Sequence, residues 1–186
     1  MKMFIKVLIS GIALTISLGA YAKDIEEPEI YMTDNELKRV SVKWIDPSSF
    51  RDIRPANQSR LKYRNHVFTN IEEHFDKLAE DLPEGQTLEV SVTNVDLAGR
   101  VEPGRFLGLT NNLNDVRVMT NIDVPRISFE YAILDSNGNK IKSEEVELKD
   151  MSYLMHGTRS FSARNAFGYE KRMITKWFKS DLLVQA

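Results

Sequence analysis

Two spacings organise this chain: apolar residues alternating with polar ones, which mark a half-buried strand, and apolar residues at three- and four-residue steps, which mark one face of a helix. Val40, Val42 and Trp44 alternate with Ser41 and Lys43 and predict a first strand, which Asp46-Pro47 ends. Leu61, Phe68, Ile71, Phe75, Leu78 and Leu82 then draw one apolar stripe along a helix of about six turns, stopped at Leu82-Pro83-Glu84-Gly85. Leu88, Val90 and Val92 predict the next strand. Beyond it Val95 and Leu97 are apolar where Asn94 and Asp96 should have been, a slip of phase that predicts a bulge near Thr93.

Val116, Val118, Ile122 and Val124 share one phase and predict a third strand, and Pro125 separates it from Ile127, Phe129, Tyr131 and Ile133 in the opposite phase. Asn137-Gly138 predicts a type I′ hairpin turn, because both residues tolerate the positive φ it needs. The returning strand, Lys140 to Lys149, is charged on its outer face and suits a sheet edge. Ser162 is placed to cap a last helix, whose stripe is Ala166, Phe167, Met173, Ile174, Trp177 and Phe178. The order β-α-β-β-β-β-α predicts an α+β fold, a two-layer sandwich in which a mainly antiparallel sheet of about five strands carries two amphipathic helices on one face.

The first residues have another pattern. Lys2 and Lys6 make a positive end, Val7 to Leu18 an apolar stretch, and Ala20-Tyr21-Ala22 a small-x-small cleavage site, the three parts of a signal peptide in their required order. The apolar part is short of the roughly 20 residues a spanning helix needs. The expected organisation is therefore a signal peptide over 1–22, a loose acidic arm over 23–37, and a single domain over 38–186, periplasmic or secreted after cleavage following Ala22.

Composition narrows the chemistry. The chain has no cysteine, which excludes disulfides, thiolate metal sites and a lipid-anchored amino terminus. Of its 25 basic residues two leave with the signal, so 23 remain against 27 acidic ones, a net charge of −4 and no footprint for nucleic acid.

Several separated motifs resemble one family. They are Val42-x-Trp44-x-Asp46-Pro47-x-x-Phe50-x-Asp52, Leu82-Pro83-x-Gly85-Gln86-x-Leu88, Asp96-Leu97-Ala98-Gly99-Arg100, Pro125-Arg126, Leu148-Lys149-Asp150-Met151, and Tyr169-Glu170-Lys171 with Trp177-Phe178. In this order they resemble bacterial exported proteins of the domain of unknown function family 3016, from about Val40 to Phe178. The resemblance implies export and the extent of the domain, and carries over no activity, ligand or catalytic residue.

Candidate contact residues come from local chemistry. The segment from Gly99 to Asn114 is 16 residues long, more than a structureless connection usually spans, and mixes Arg100 and Arg105 with Phe106, Leu107, Leu109 and Leu113. It offers guanidinium groups to an anion and apolar side chains to a partner, unless its leucines fold back over the sheet. Asp96 stands where the strand pattern fails, four residues before Arg100, as a turn residue holding that arginine or as a carboxylate aimed into a cleft, with Asp46 and Asp52 as partners for acid–base work. Arg51, Arg54, Arg60, Lys62 and Arg64 are opposed locally by Asp52 only, and with Arg100 and Arg105 they would make an anion-binding end, against the ordinary reading of a solvated helix start.

The remaining signals are weaker. His66, His74 and His156 share no ligand spacing. Met151, Met155 and His156 suit copper(I), although methionine more often fills gaps in a core. Ser59-x-x-Lys62 matches the first motif of penicillin-recognising enzymes, without the companion motifs.

The reading is an exported binding or interaction module with no cofactor and no metal, contacting an envelope protein or an anionic envelope component through Asp96, Arg100, Arg105, Phe106 and Arg54. A metal-independent hydrolase of envelope material is the alternative. Mass spectrometry of the protein from its native host is expected to find a mature amino terminus at Lys23. Retention of Met1 to Ala22 would sink the export reading.

Overall fold

The computed structural model describes residues 27–108, 114–155 and 166–183. The segment read as a signal peptide, Ser162 and His156 lie outside the described residues. Among the described residues seven strands and two α-helices follow in order: β1 (Ile30–Tyr31), β2 (Val40–Ile45), α1 (Arg60–Ala79), β3 (Thr87–Asp96), β4 (Arg100–Pro103), β5 (Asp115–Val118), β6 (Arg126–Leu134), β7 (Lys140–Lys149) and α2 (Gly168–Trp177). Five of them form one sheet in the order β1-β2-β3-β6-β7, and β4 pairs with β5 in a separate ribbon. This is the expected α+β fold with a mainly antiparallel sheet. The one parallel pair, β2 with β3, follows from α1 lying between them, since parallel neighbours need a crossover.

The alternation seen in the sequence sorts the two faces. Val40, Val42 and Trp44 of β2, Leu88, Val90 and Val92 of β3, and Ile127, Phe129, Tyr131 and Ile133 of β6 are buried in one cluster with Val67, Phe68, Ile71 and Phe75 of α1 and Met173, Ile174 and Trp177 of α2. Both helices therefore cover one face of the sheet. The other face carries Ser41, Lys43, Glu89, Ser91, Ser128 and Glu130, partly or fully exposed. Trp44 is 0% exposed, stacks on Phe68 with ring centroids 3.7 Å apart, and donates its indole N–H to Glu72 Oε1 at 2.8 Å. That bond lets a carboxylate sit inside the core, because a buried acceptor is tolerable only when partnered.

The predicted bulge is present: the β3–β6 register shifts between Val92 and Asn94. It turns Val95 back into the core and leaves Asp96 partly exposed at the strand end. β7 is an edge strand, as its charges predict.

Several expectations are corrected. The arm read as loose over 23–37 is tied down where it is described: Ile30–Tyr31 pairs with β2, and Thr33 and Asn35 donate to Glu72. The single strand expected over 116–124 is only Asp115–Val118, in the ribbon rather than the sheet, because Thr120 and Asp123 bond each other and turn the chain. The β6–β7 turn is not type I′. Gly138 alone has positive φ, and Asp135 closes the turn by accepting the amides of Asn137 and Asn139. α2 starts at Gly168 after Phe167 in the left-handed region, and Ala166 is exposed rather than part of the stripe. Met151 and Met155 are 67% and 86% exposed, so neither fills the core.

α1 and α2 meet at His74, whose Nε2 lies 2.8 Å from both the Lys171 carbonyl oxygen and Thr175 Oγ1. A carbonyl only accepts, so Nε2 carries the hydrogen. Burial, aided by Lys171 and Lys77, lowers the imidazole from 6.5 to about 4. The unfolded chain thus takes a proton first on acidification: the stability tied to neutral His74 is complete above pH 6.5 and is lost as pH falls to about 4. Denaturant unfolding at about pH 7 and about pH 4.5 is expected to show that His74→Gln removes roughly 2–3 kcal/mol of the acid-induced loss. An unchanged acid loss in the variant would mean that the imidazole is hydrated where the helices meet.

Candidate functional site

At the end of the sheet where β3 leaves and β6 begins, a cleft of about 820 Å³ opens between the segment after β2, the first turn of α1, the start of β4 and the turn before β6. Its walls hold Arg51, Arg54, Arg60, Arg64, Arg100 and Arg126 with Asp52, Asp96 and Asp123. These are six of the chain's twelve arginines and none of its thirteen lysines. That bias has chemical meaning, because the planar guanidinium fork matches the oxygens of a carboxylate or phosphate in pairs, whereas an ammonium is a point charge.

Each wall is placed by local chemistry. Asp46 adopts φ 48° and accepts the Ser49 amide on its carbonyl, which turns the chain after β2 so that residues 50–54 run back along the end of β3. Asp52 then bridges to Asp96 in parallel, so these two aspartates come side by side, and Asp46 does not join them. Gly99 has φ +73°, and a β-carbon there would lie 2.4 Å from the Val118 carbonyl oxygen and 2.8 Å from Met119 Sδ. Only glycine lets β4 leave β3 this close to β5. Glu170, buried in α2 at 2% exposure, accepts the Ala98 amide at 2.8 Å and holds the same exit from the other side. Burial pushes its carboxyl up.

The aspartates divide the arginines into held and free. Arg117 donates to Asp52 at 2.8 Å, and Arg100 to Glu102 at 2.6 Å and Asp123 at 3.4 Å. Asp96 faces Arg51 at 3.9 Å and Arg126 at 3.8 Å. Burial pushes the Asp96 carboxyl up while those two arginines pull it down. Arg54, Arg60 and Arg64 have no acidic partner among the described residues. Arg64 lies over the Tyr31 ring at 5.0 Å, and its Nε is buried without a hydrogen-bond partner. Six positive and three negative side chains leave the cleft with a net charge of +3, on a chain whose formal charge is −2.

Of the residues singled out in the sequence, Asp96, Arg100 and Arg54 line this cleft, and Arg51, Arg60 and Arg64 join them. Lys62 is exposed outside it, and Ser59, the N-cap of α1, makes no side-chain cap bond. Arg105 and Phe106 stand apart on a 3₁₀ turn, Gly104–Leu107, where the guanidinium lies 4.9 Å from the ring centroid and Phe106 is 70% exposed. Where it is described, the expected long loop is therefore β4 and this turn, with Phe106 and Leu107 exposed rather than folded over the sheet; Leu109 and Leu113 lie outside the described residues. Asp96 does not hold Arg100, whose partners are Glu102 and Asp123.

Arg117, Arg126, Asp123 and Glu170 carry no local signal that singles them out as contact residues. Arg126 and Glu170 stand within family-like motifs, which marked them without saying why. A family model described as "Protein of unknown function (DUF3016)" matches residues 38–180. The chain belongs to this family. No curated protein and no solved structure matches it. The family match covers every element that builds the cleft, from β2 to α2.

Among the described residues no group of histidines, cysteines and carboxylates is arranged to hold a metal ion, and no helix is long and apolar enough to cross a membrane. Gly99→Ala is expected to cost roughly 2–4 kcal/mol in urea unfolding, as positive φ and a backbone clash act together. A loss under about 1 kcal/mol would show that the β3–β4 exit relaxes freely.

Proposed function

We propose that this domain is an exported, soluble binding module of the bacterial envelope, and that its arginine cleft takes the phosphate or carboxylate of an anionic envelope component. One observation carries the reading: the start of α1 is built against its own electrostatics. A helix amino terminus favours acidic residues and a side-chain cap. α1 has no acidic residue in its first turn and an uncapped start, and it places Arg60, Lys62 and Arg64 there instead. Arg60 and Arg64 are one turn apart, where like charges repel. An anion in the cleft relieves all of these mismatches at once.

The other end of the same helix makes the contrast. Arg39 donates to the carbonyls of Glu80, Leu82 and Pro83, the arrangement that the helix dipole favours. A local rule kept at one end and broken at the other points to a site at the broken end.

A metal-independent hydrolase is the second reading, and the upward-pushed carboxyl of Asp96 is what favours it. The second acid–base group such a mechanism wants is already occupied, since Asp52 is engaged by Arg117 and Asp123 by Arg100. Binding without turnover is therefore preferred.

Arg60→Glu separates stability from binding. The variant is expected to gain roughly 1 kcal/mol in the ligand-free state, because an acid replaces a cation in the first helical turn. It is also expected to lose at least about tenfold in affinity for inorganic phosphate by isothermal titration at low salt. Phosphate affinity equal to that of the parent would defeat the reading.

A further inference from the structure

The cleft is not only cationic. Ten large apolar side chains are exposed among the described residues, and two of them, Leu61 at 57% and Ile122 at 75%, stand on the walls of this one cleft. Each is there for a reason in the chain. Leu61 lies seven residues before Phe68, so it continues the buried stripe of α1 by two turns, past the end of the core and into the cleft beside Arg60 and Arg64. Ile122 is carried out by the turn that Thr120 and Asp123 close, and Asp123 in turn holds Arg100. Apolar surface with no partner and guanidinium groups with no acid thus occupy the same walls. A free phosphate would answer only the second of these.

Resting on the anion-binding reading, we infer that the cleft takes a phosphorylated lipid, its terminal phosphate at Arg54, Arg60 and Arg64 and its acyl chains against Leu61 and Ile122. The charge match favours a phosphomonoester, which carries about −1.5 to −2 and so balances most of the net +3 of the cleft.

The test compares three soluble probes by isothermal titration: dihexanoyl phosphatidate, glycerol 3-phosphate with the same phosphate and no chains, and dihexanoyl phosphatidylcholine with the same chains and no terminal phosphate. Phosphatidate is expected to bind at least about tenfold more tightly than glycerol 3-phosphate, and the choline lipid not measurably. Leu61→Ser with Ile122→Ser is expected to remove that preference while leaving the affinity for glycerol 3-phosphate unchanged. Ile122→Ser alone, at the more exposed position, carries the test if the double variant melts early.

Equal affinity for phosphatidate and glycerol 3-phosphate would overturn the lipid inference and leave the anion cleft standing. A preference that survives both substitutions would overturn it too, by placing the chains elsewhere, as would equal binding of the choline lipid. Binding of none of the three would remove the anion-binding reading itself.

Discussion

The cleft depends on the hydrogen bonds of one side chain. Arg117, at the centre of β5, donates through Nη1 to Asp52 Oδ2 and to the carbonyls of Ala98 and Gly99, and through Nη2 to the carbonyl of Arg54. Three segments far apart in sequence meet on this guanidinium: the return after β2, the exit of β3 and the β4–β5 ribbon. Arg117 and Asp52 are only 17% and 20% exposed, so neither keeps full hydration to replace the other. A charge left alone there is costly, which makes the contact close to obligatory once the core has formed.

Because Arg117 engages Asp52, that carboxylate is not left to neutralise Arg54, Arg60 or Arg64. The chain's acidic residues outnumber its basic ones, yet the acids near the cleft are held: Asp52 by Arg117, Asp123 by Thr120 and Arg100, and Glu170 by the Ala98 amide. Arg54, Arg60 and Arg64 are left without an acidic partner among the described residues. Local propensity would have placed acids at the start of α1, and their absence is a stability cost borne where the cleft opens.

The core beneath the cleft is closely packed with aromatic rings. Trp44 stacks on Phe68 and Phe50 meets both rings at steep angles beneath the cleft wall, with Trp44 anchored to Glu72, and Trp177 closes the far side of the core against Phe129 and Tyr131. Arg60 and Arg64 therefore project from a helix packed on this core, and Arg54 from the return after β2, whose carbonyl Arg117 holds.

How much of this was legible in the chain follows from the range of each force. Burial on one face repeats with the period of the backbone, so the two helices, the core strands, the bulge at Thr93 and the charged edge strand β7 were all readable from residues a few positions apart. The run Arg51, Arg54, Arg60 and Arg64 was visible too, as a local excess of charge. What periodicity misread was residues in phase with an element but past its end: Leu61 keeps the helical phase of the core yet lies in the cleft, and Ile122 keeps a strand phase that Thr120 and Asp123 interrupt. The roles of Arg117, Arg126, Asp123 and Glu170 could not be read, although motifs marked Arg126 and Glu170, because their partners are Asp52, Asp96, Arg100 and Ala98, brought to them by chain reversals, and a hydrogen bond leaves no period in the sequence. Which faces are buried, and where positive charge is dense, can be read along the chain. Which of those charges are neutralised is settled by folding alone, since it depends on contacts of about 3–4 Å between segments that the chain keeps far apart.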